Sequence, residues 1–277
     1  MSNDLDPHDA LRSIEGFEGG DWSIEALPGG LTNRNFRVRR GDDTLVLRLD
    51  DEHTASFSLD RHTELRVRKQ AAAAGLATEI VFADTDNGIL LCEFAEGRVW
   101  DDSDLESKEN LETLARRMRD IHQMPVVGKQ LDTSRAARTY VRNLADRPGL
   151  LAFGERCQQL IDETPRAEIV TCCHNDVIAA NVVENDGIRF LDWEYACDNH
   201  PMFELASVIG FHNLDQDQAD VLFEAYYDGP NPQMREQLDE QLRLFDAFQW
   251  LWYAVRHRMS PNSRLAMRLE EIQQRIF

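Results

Sequence analysis

Short runs of alternating hydrophobic and polar positions cover the first third of the chain. Such runs lie at residues 22–26, 35–39 and 44–49, and a glycine–aspartate turn at 41–43 separates the last two. Period-two alternation between turn residues is typical of antiparallel strands joined as a hairpin. The pattern therefore predicts a hairpin preceded by a glycine-containing loop at 28–30.

A helix and two further strands are predicted after the hairpin. Residues 60–74 are rich in alanine, which favours helix, and Gly75 fits the position just after a helix end. Strand patterns follow at 79–83 and 88–94, separated by a polar turn. We expect these elements to form a small antiparallel sheet with one helix packed on it.

Helical spacing of apolar residues dominates the rest of the chain. Two short apolar strands, 169–172 and 188–191, interrupt the helices in the middle of this part. The change of pattern, together with a length of 277 residues, predicts an α+β protein with two domains, 1–95 and 96–277. The predicted helical stretches are 105–123, 136–144, 150–163 and the chain from 201 onward, with a break at 229–232.

Acidic residues far outnumber basic ones in this chain. There are 50 aspartates and glutamates against 30 lysines and arginines, which gives a formal net charge of −20. Such a surface repels polyanions, so nucleic acids and anionic membrane surfaces are not expected partners. The acidic excess can serve solubility or a salty cytoplasm, and it can also attract a cationic substrate; charge alone leaves these interpretations open.

Cysteine usage and hydropathy indicate a cytoplasmic protein. The five cysteines form no C-x-x-C pair, which argues against a disulfide framework and against a zinc knuckle. The N-terminal stretch is acidic and lacks the apolar core of a secretion signal. Because no apolar run approaches the roughly 20 residues that span a bilayer, we expect no membrane insertion.

Two aspartates and an asparagine follow the two strands in the middle of the chain. Asp176 and Asn181 lie in the segment HNDVIAAN, and Asp192 comes two residues after Phe190. Phosphoryl transfer needs metal ions held against the phosphates and a carboxylate beside the attacking hydroxyl. Asn181 and Asp192 offer the oxygen ligands that Mg²⁺ prefers, and Asp176 is left to accept the hydroxyl proton. Any one of these residues can simply cap a turn, but the whole spaced set favours chemistry.

The sequence around these residues resembles the choline/ethanolamine kinase branch of the protein-kinase-like superfamily. The resemblance is carried by CHNDVIAANVV and by IRFLDWEYACDNHPMFELA, which begin at Cys173 and Ile188. The aminoglycoside phosphotransferases and bacterial thiamine kinases belong to the same group. The resemblance implies a bilobal protein-kinase-like fold, with a small N-terminal nucleotide-binding lobe and a larger, mainly helical C-terminal lobe.

The same resemblance implies ATP as the phosphate donor and Mg²⁺ as a cofactor. It implies that Asp176 is the catalytic base and that Asn181 and Asp192 are the Mg²⁺ ligands. Glu204, in the segment FELA, lies where the family has an acidic residue that braces the catalytic loop.

Two N-terminal segments resemble nucleotide-binding parts of this branch. The loop LPGGLTN resembles its phosphate-covering loop, which implies contacts from Gly30, Thr32 and Asn33, although such a turn is common by itself. The segment LLCEFAEG resembles the hinge between the lobes, where the backbone from Glu93 to Ala95 would bind adenine.

Arg48 lies in the second strand of the predicted hairpin, where other kinases carry an ATP-binding lysine. Arginine at this place is similar to the choline kinase branch, and its forked guanidinium can bind phosphates and a carboxylate. Glu64, on the following helix, is the expected carboxylate partner. The alternative for Arg48 is a solvated charge on an edge strand.

The phosphate acceptor is predicted to be a small amino alcohol such as choline or ethanolamine. Glu194 follows Asp192 closely, as in choline kinases, and Trp250 and Trp252 lie on an aromatic-rich helix suited to a cation cage. Core packing of the same aromatic residues is the alternative. The sequence has Phe211-His212 where choline kinases carry a further glutamate, which also leaves other acceptors open.

Three other functions fit parts of the pattern: a thiamine kinase, an aminoglycoside kinase and a non-catalytic nucleotide-binding pseudokinase. An aminoglycoside would need several acidic groups, which the run from Asp101 to Glu106 could supply. Intact Asp176, Asn181 and Asp192 argue against a pseudokinase. We therefore expect an enzyme that phosphorylates the hydroxyl group of a small molecule.

Overall fold

The computed structural model describes residues 5–28, 33–51, 59–165 and 169–276. Their backbone contacts divide the chain into two compact units. The first unit contains the described residues up to Asp101 together with 179–196, and the second contains the remaining residues from Asp102 onward. The predicted boundary between residues 95 and 96 stays a prediction, but 179–196 groups with the N-terminal part of the chain.

The first unit contains a five-stranded antiparallel sheet with the order β1-β2-β3-β5-β4. The predicted hairpin is confirmed as β2 and β3, in which Asn35 lies opposite Arg48 and Phe36 opposite Leu47. Gly41 has a φ of 59°, a left-handed conformation that glycine adopts without steric penalty at the hairpin turn. The strands are Ser23–Ala26 (β1), Asn33–Arg40 (β2), Asp43–Asp50 (β3), Ile80–Asp84 (β4) and Ile89–Glu93 (β5).

A short helix that the pattern did not predict, Pro7–Arg12 (α1), covers one face of this sheet. Pro7 occupies its first turn, and the Asp6 carboxylate accepts the backbone N–H of His8, which satisfies an unpaired donor at the helix start. Leu11 of the helix shares a buried core with Leu47 and the neighbouring strands. Truncating a side chain buried in this way typically costs about 2–5 kcal/mol of folding stability.

The predicted helix of this unit is Arg61–Ala73 (α2). The Asp60 carboxylate accepts the backbone N–H of Thr63 at 3.1 Å and so caps the helix start. The chain leaves the helix through Gly75, which has a φ of 68°. These capping residues explain why the predicted bounds, 60–74, differ from the observed ones by one residue at each end.

A second, three-stranded sheet of the first unit consists of Arg98–Val99 (β6), Val182–Asn185 (β8) and Gly187–Phe190 (β9), in the order β6-β8-β9. Strands β8 and β9 form a hairpin, and the Phe190 N–H donates to the Leu76 carbonyl at 2.8 Å. Only β9 was predicted: β6 has two residues, and the segment of β8 was interpreted as part of the loop between the two predicted strands.

Gly97 precedes β6 at a point where two backbones approach closely. Its φ is 139°, and a Cβ at this position would lie 2.3 Å from the carbonyl oxygen of Glu184 in β8. Only glycine fits there without displacing the strand.

The second unit is mainly helical, as predicted. It also contains a two-stranded antiparallel sheet of Thr171–Cys173 (β7) and Cys197–Asn199 (β10). Among the described helices, none combines the length and the apolar character that a membrane-spanning segment requires. The helices are Lys108–His122 (α3), Thr133–Asn143 (α4), Pro148–Glu163 (α5), Pro201–His212 (α6), Gln216–Tyr227 (α7), Pro232–Met259 (α8) and Ser263–Ile276 (α9).

Helix α6 is the central helix of this unit, and its residues 201–210 are all buried. Asn213 ends α6 with a φ of 51°, and Asp228 ends α7 with a φ of 56°. Asparagine and aspartate tolerate this left-handed conformation better than most residues. The predicted break at 229–232 is confirmed between α7 and α8, whereas the breaks at Asn213 and after Met259 were not predicted.

The strand β10 is fixed to the loop after α3 by one buried carboxylate. Asp198 accepts the backbone N–H groups of Val127, Gly128 and Lys129 at 2.8, 2.6 and 3.2 Å. Because β10 pairs with β7, this contact also holds the strand from which the segment 174–178 leaves.

Candidate active site

The first unit brings the two predicted Mg²⁺ ligands to the same end of the β8–β9 hairpin. Asn181 directly precedes β8, and Asp192 follows β9 by two residues. Val182 lies opposite Phe190, so the next pair outward joins the Leu191 N–H to the Asn181 carbonyl at 2.8 Å. The hairpin therefore places an amide side chain and a carboxylate side chain on adjacent backbone segments.

Asp192 has an unusual backbone and an unusual acidity. Its φ of 55° lies in the left-handed region, which aspartate adopts more readily than most residues other than glycine. Burial and the neighbouring charge of Glu194 raise the pKa of its carboxyl to about 7, and the charge of Arg48 offsets part of that effect. Because burial and the Glu194 charge disfavour the ionised carboxylate of Asp192, an additional positive charge nearby would stabilise it.

The predicted ion pair between Arg48 in β3 and Glu64 in α2 is present. Two guanidinium nitrogens of Arg48 donate to the two carboxylate oxygens, one of them at 2.9 Å. Both residues are buried, with 8% and 2% of their surface exposed. Burial alone would raise the pKa of Glu64, but Arg48, with Arg61 and Arg68 adding to it, lowers it to about 2. Both groups are therefore charged, and Arg48 is no solvated edge charge.

Arg61, the first residue of α2, was not predicted and lies at the centre of these contacts. Its guanidinium is 2.8 Å from the Asp50 carboxylate, 2.9 Å from Glu64 and 3.5 Å from Glu194. We call Arg48, Arg61, Glu64 and Glu194 the guanidinium network. The only local signal for Arg61 was its spacing of three residues from Glu64, which favours a pair on one helix face.

Asn33 and Glu194, both predicted site residues, contact each other directly. The Asn33 side-chain N–H donates to the Glu194 carboxylate at 2.6 Å, and the side-chain amide oxygen of Asn33 accepts from the Arg61 guanidinium. Glu194 thus joins the start of β2 to the segment after β9. The predicted phosphate contacts Gly30 and Thr32 lie outside the described residues.

The hinge segment follows β5. The Glu93 N–H donates to the Glu79 carbonyl at 3.0 Å, and the Phe94 N–H donates to the Thr44 carbonyl at 3.3 Å. The prediction that the backbone from Glu93 to Ala95 binds adenine stays a prediction.

Asp176 belongs to the second unit, whereas Asn181 and Asp192 belong to the first. It lies in the loop after β7, next to Asn175, whose φ is 64°. The Asn175 N–H donates to a carboxylate oxygen of Glu204 at 2.6 Å, and the Ile178 N–H donates to the Asp176 carbonyl at 3.0 Å. Glu204, in the first turn of α6, thus contacts the loop that it was predicted to brace.

The second oxygen of Glu204 continues into a buried chain of polar groups. It lies 2.5 Å from Nε2 of His122, at the end of α3, and Nδ1 of His122 lies 2.7 Å from the Tyr226 hydroxyl in α7. Burial would raise the pKa of Glu204, but His122 lowers it below its usual value. We call His122, Glu204, Tyr226 and the Asn175 N–H the Glu204 network. Its histidine and tyrosine were not predicted.

The aromatic residues of α8 divide between core and partial exposure. Trp250 has 1% of its surface exposed and packs against Phe153 at a centroid distance of 4.5 Å, so its contacts are those of core packing, the alternative interpretation of these aromatic residues. Trp252 is half-buried and contacts Tyr253 edge to face at 5.2 Å. Burial, and to a smaller extent the charge of Asp176, raise the pKa of Tyr253. Tyr253 is therefore an aromatic residue near Asp176 that the sequence did not single out.

Comparison with known proteins supports a phosphotransferase. A sequence model of the phosphotransferase enzyme family matches residues 23–245. The LicA protein of Haemophilus influenzae is 26% identical over 212 residues, which cover 73% of this chain and 62% of LicA. The match thus spans less than two thirds of that relative.

Solved structures share the fold. A choline/ethanolamine kinase family protein from Mesorhizobium loti matches with a TM-score of 0.74 and 20% identity, over 97% of this chain and 92% of that chain. The choline kinase LicA from Streptococcus pneumoniae matches with a TM-score of 0.74 and 18% identity, over 91% of this chain and 92% of that chain. These likenesses confirm the predicted kinase-like fold, a small antiparallel sheet followed by a mainly helical part.

Proposed function

Because the chain belongs to the phosphotransferase enzyme family, we propose that it transfers the γ-phosphoryl group of ATP to the hydroxyl group of a small amino alcohol, with choline as the first candidate. The observation that carries this proposal is the hairpin end bearing Asn181 and Asp192, with Asp192 within electrostatic reach of the buried Arg48–Glu64 pair. The choline kinase of similar fold from Streptococcus pneumoniae supports the choice of acceptor.

Arg48 is the proposed contact to the phosphates of ATP. Glu64 holds its guanidinium through two of the nitrogens. Among the described residues, no hydrogen-bond partner accepts from the buried Nε of Arg48. An arginine fixed in this way on a rigid strand can bind an anion without a large loss of side-chain entropy.

Asn181 and Asp192 are the proposed Mg²⁺ ligands. Their donor set fits the ion, because amide and carboxylate oxygens are hard ligands, and a cation would offset the burial and the Glu194 charge that raise the pKa of Asp192. When bound, Mg²⁺ would neutralise negative charge on the ATP phosphates.

Asp176 is the proposed catalytic base. It orients the acceptor hydroxyl, whose oxygen bonds to the γ-phosphorus while the bond to the β–γ bridging oxygen breaks and ADP leaves. The hydroxyl proton passes to the Asp176 carboxylate. Groups in this role typically contribute about 10²–10⁴ in rate.

A cationic acceptor fits the net charge of the chain and the aromatic residues of the second unit. The chain carries a net charge of −20, which favours the approach of a cation. Trp252 and Tyr253 are aromatic residues of α8 with partly exposed surfaces, and aromatic faces attract quaternary ammonium groups. Choline combines such a group with one primary hydroxyl.

An acceptor screen tests this function. Purified protein with Mg²⁺ and ATP is offered choline, ethanolamine, thiamine and an aminoglycoside in separate reactions, and ADP release is followed against a reaction without acceptor. We expect choline to accelerate ADP release most. If no acceptor raises ADP release above the background, although ATP stabilises the protein against heating, the protein is a nucleotide-binding module without this activity.

A further inference from the structure

The Glu204 network is unusual because every side chain in it is buried, polar and supplied by a different helix. Glu204 has none of its surface exposed, His122 has 7% and Tyr226 has 8%. Helices α3, α6 and α7 each contribute one group. Buried polar groups are costly unless they are hydrogen-bonded, so a network of this kind restricts the positions of the helices that carry it.

The protons in this network can be assigned from the chemistry of its members. Burial would raise the pKa of Glu204, but His122 keeps it below its ordinary value, so Glu204 is an acceptor. Burial raises the pKa of Tyr226, so its hydroxyl keeps its proton, and it pairs with Nδ1 of His122 at 2.7 Å in a direction that the tautomer of the ring sets. His122 then donates from Nε2 to Glu204, and Glu204 accepts the Asn175 N–H with its other oxygen.

His122, Glu204 and Cys173 also form a cluster of potential metal ligands, with their ligand atoms within 4.8 Å of one another. A metal ion needs about 2.0–2.2 Å to each nitrogen or oxygen, which separates two ligands by roughly 3 Å or more. The distance of 2.5 Å between His122 and Glu204 is that of a short hydrogen bond instead. Burial raises the pKa of Cys173 well above its usual value, so it remains a thiol and a poor ligand.

The network ends at a residue with a left-handed backbone conformation. Asn175 has a φ of 64°, and its N–H is the group that Glu204 accepts. Asp176 is the next residue. The Glu204 contact therefore supports the backbone of the residue that directly precedes Asp176.

We propose that His122 and Tyr226 are positioning residues, which orient Glu204 so that it holds the Asn175–Asp176 turn in the geometry required for phosphoryl transfer. The assignment rests on the proposed function, since it gives Asp176 the role of base. His122 and Tyr226 act through Glu204 and contact neither substrate nor nucleotide.

Four variants test this assignment. Tyr226→Phe removes one hydroxyl, and Tyr227→Phe is its matched control, because the Tyr227 hydroxyl donates to Met202 Sδ at 3.8 Å and is not part of the Glu204 network. His122→Leu removes both ring nitrogens, and His122→Gln restores a donor toward Glu204. For each variant, kcat and KM for ATP are measured with choline, and amide hydrogen exchange is measured in the segment 174–178.

We expect kcat to fall about fivefold in Tyr226→Phe, the effect of one hydrogen bond, and about 10²-fold in His122→Leu, where the base is misplaced. His122→Gln should recover most of the loss, and Tyr227→Phe should match the wild type. KM for ATP should stay constant throughout. Exchange in 174–178 should accelerate in His122→Leu and Tyr226→Phe.

Three results would overturn the assignment. One is an unchanged kcat in folded His122→Leu and Tyr226→Phe, and another is an unchanged exchange rate in 174–178. The third is stoichiometric zinc in the purified wild type that His122→Gln loses, because the cluster would then be a metal centre. A wild type that transfers phosphate to no acceptor defeats the proposed function alone, and the exchange measurement still decides whether the network holds the turn.

Discussion

The glutamate that is most deeply buried among the described residues of each unit lies at its candidate site, and the charges of the two are balanced in different ways. Glu64 is surrounded by guanidinium groups, with Arg48 and Arg61 in direct contact. Glu204 is surrounded by an imidazole and a backbone N–H. The first arrangement consists of charged side chains alone, and the proposed function also assigns one of them, Arg48, to the phosphates. The second ends on the backbone and therefore fixes a loop.

This difference explains which functions each glutamate can serve. Salt bridges to arginine can be shared with an arriving anion, because a guanidinium has five N–H donors. A hydrogen bond to a backbone N–H cannot be shared in this way, but it fixes the φ and ψ of the residue that donates it. The comparison predicts that damage to the guanidinium network affects nucleotide binding, whereas damage near Glu204 affects the rate of transfer.

The largest effect is expected from Asp176→Asn, a change within the Asn175–Asp176 turn. Loss of the base should lower kcat by about 10²–10⁴-fold, with the thermal midpoint and the ATP-induced stabilisation unchanged. Initial rates of ADP release with choline measure this effect. Asp228→Asn, at an exposed aspartate that also has a positive φ, is the matched control and should keep the wild-type rate. An Asp176→Asn enzyme as fast as the control would end the assignment of the base.

The guanidinium network is tested next by Arg48→Met. Removing one partner of a buried ion pair typically costs about 3–5 kcal/mol, so the variant should unfold at lower denaturant concentration. It should also lose the stabilisation by ATP, because the proposed phosphate contact is gone. Arg39→Met changes an exposed arginine of the same sheet and should have neither effect. Equal stability of the two variants would show that the pair contributes nothing.

A pH series on the wild type and Glu64→Gln tests whether Glu64 is ionised in the folded protein. The pKa of Glu64 is lowered from 4.5 to about 2 in the folded protein, so its ionised form stabilises the fold above about pH 4.5. That stabilisation, on the order of 3 kcal/mol, is lost as the pH falls from 4.5 towards 2. The difference in unfolding free energy between wild type and Glu64→Gln should therefore narrow over this range. A constant difference would contradict the lowered pKa.

The smallest effect is expected at the aromatic helix of the second unit. Trp252→Leu should raise KM for choline about two- to fivefold, which corresponds to the roughly 0.5–1 kcal/mol of an exposed cation–π contact. The control is Trp250→Leu, at the core position against Phe153, which should lower stability and leave KM unchanged. If Trp252→Leu leaves KM for choline unchanged, this side chain does not contact the acceptor.

Local patterns predicted the elements that are long enough to show a period. Helix α2 was expected at 60–74 and is found at 61–73, and the β2–β3 hairpin follows the predicted alternation. Strand β6, with two residues, is too short to show any period. Strand β10 is defined only by its pairing with β7, and pairing partners are not visible in a single sequence.

The candidate site shows the same division between local and long-range information. Asp176, Asn181 and Asp192 lie within 17 consecutive residues and carry a recognisable spacing. Arg61 contacts Glu194 across 133 residues, and His122 contacts Glu204 across 82 and Tyr226 across 104. A lone arginine or histidine on a helix gives no local sign of such partners. These positioning contacts emerge only from the fold.

The most direct test of the proposed activity is the identity of the product. Wild-type protein, Mg²⁺, ATP and choline are followed by ³¹P nuclear magnetic resonance until the ATP is consumed. We predict one phosphomonoester of choline for each ADP formed, with little inorganic phosphate. Inorganic phosphate as the main product, with no phosphomonoester, would mean that the chain hydrolyses ATP instead of transferring its phosphate to choline.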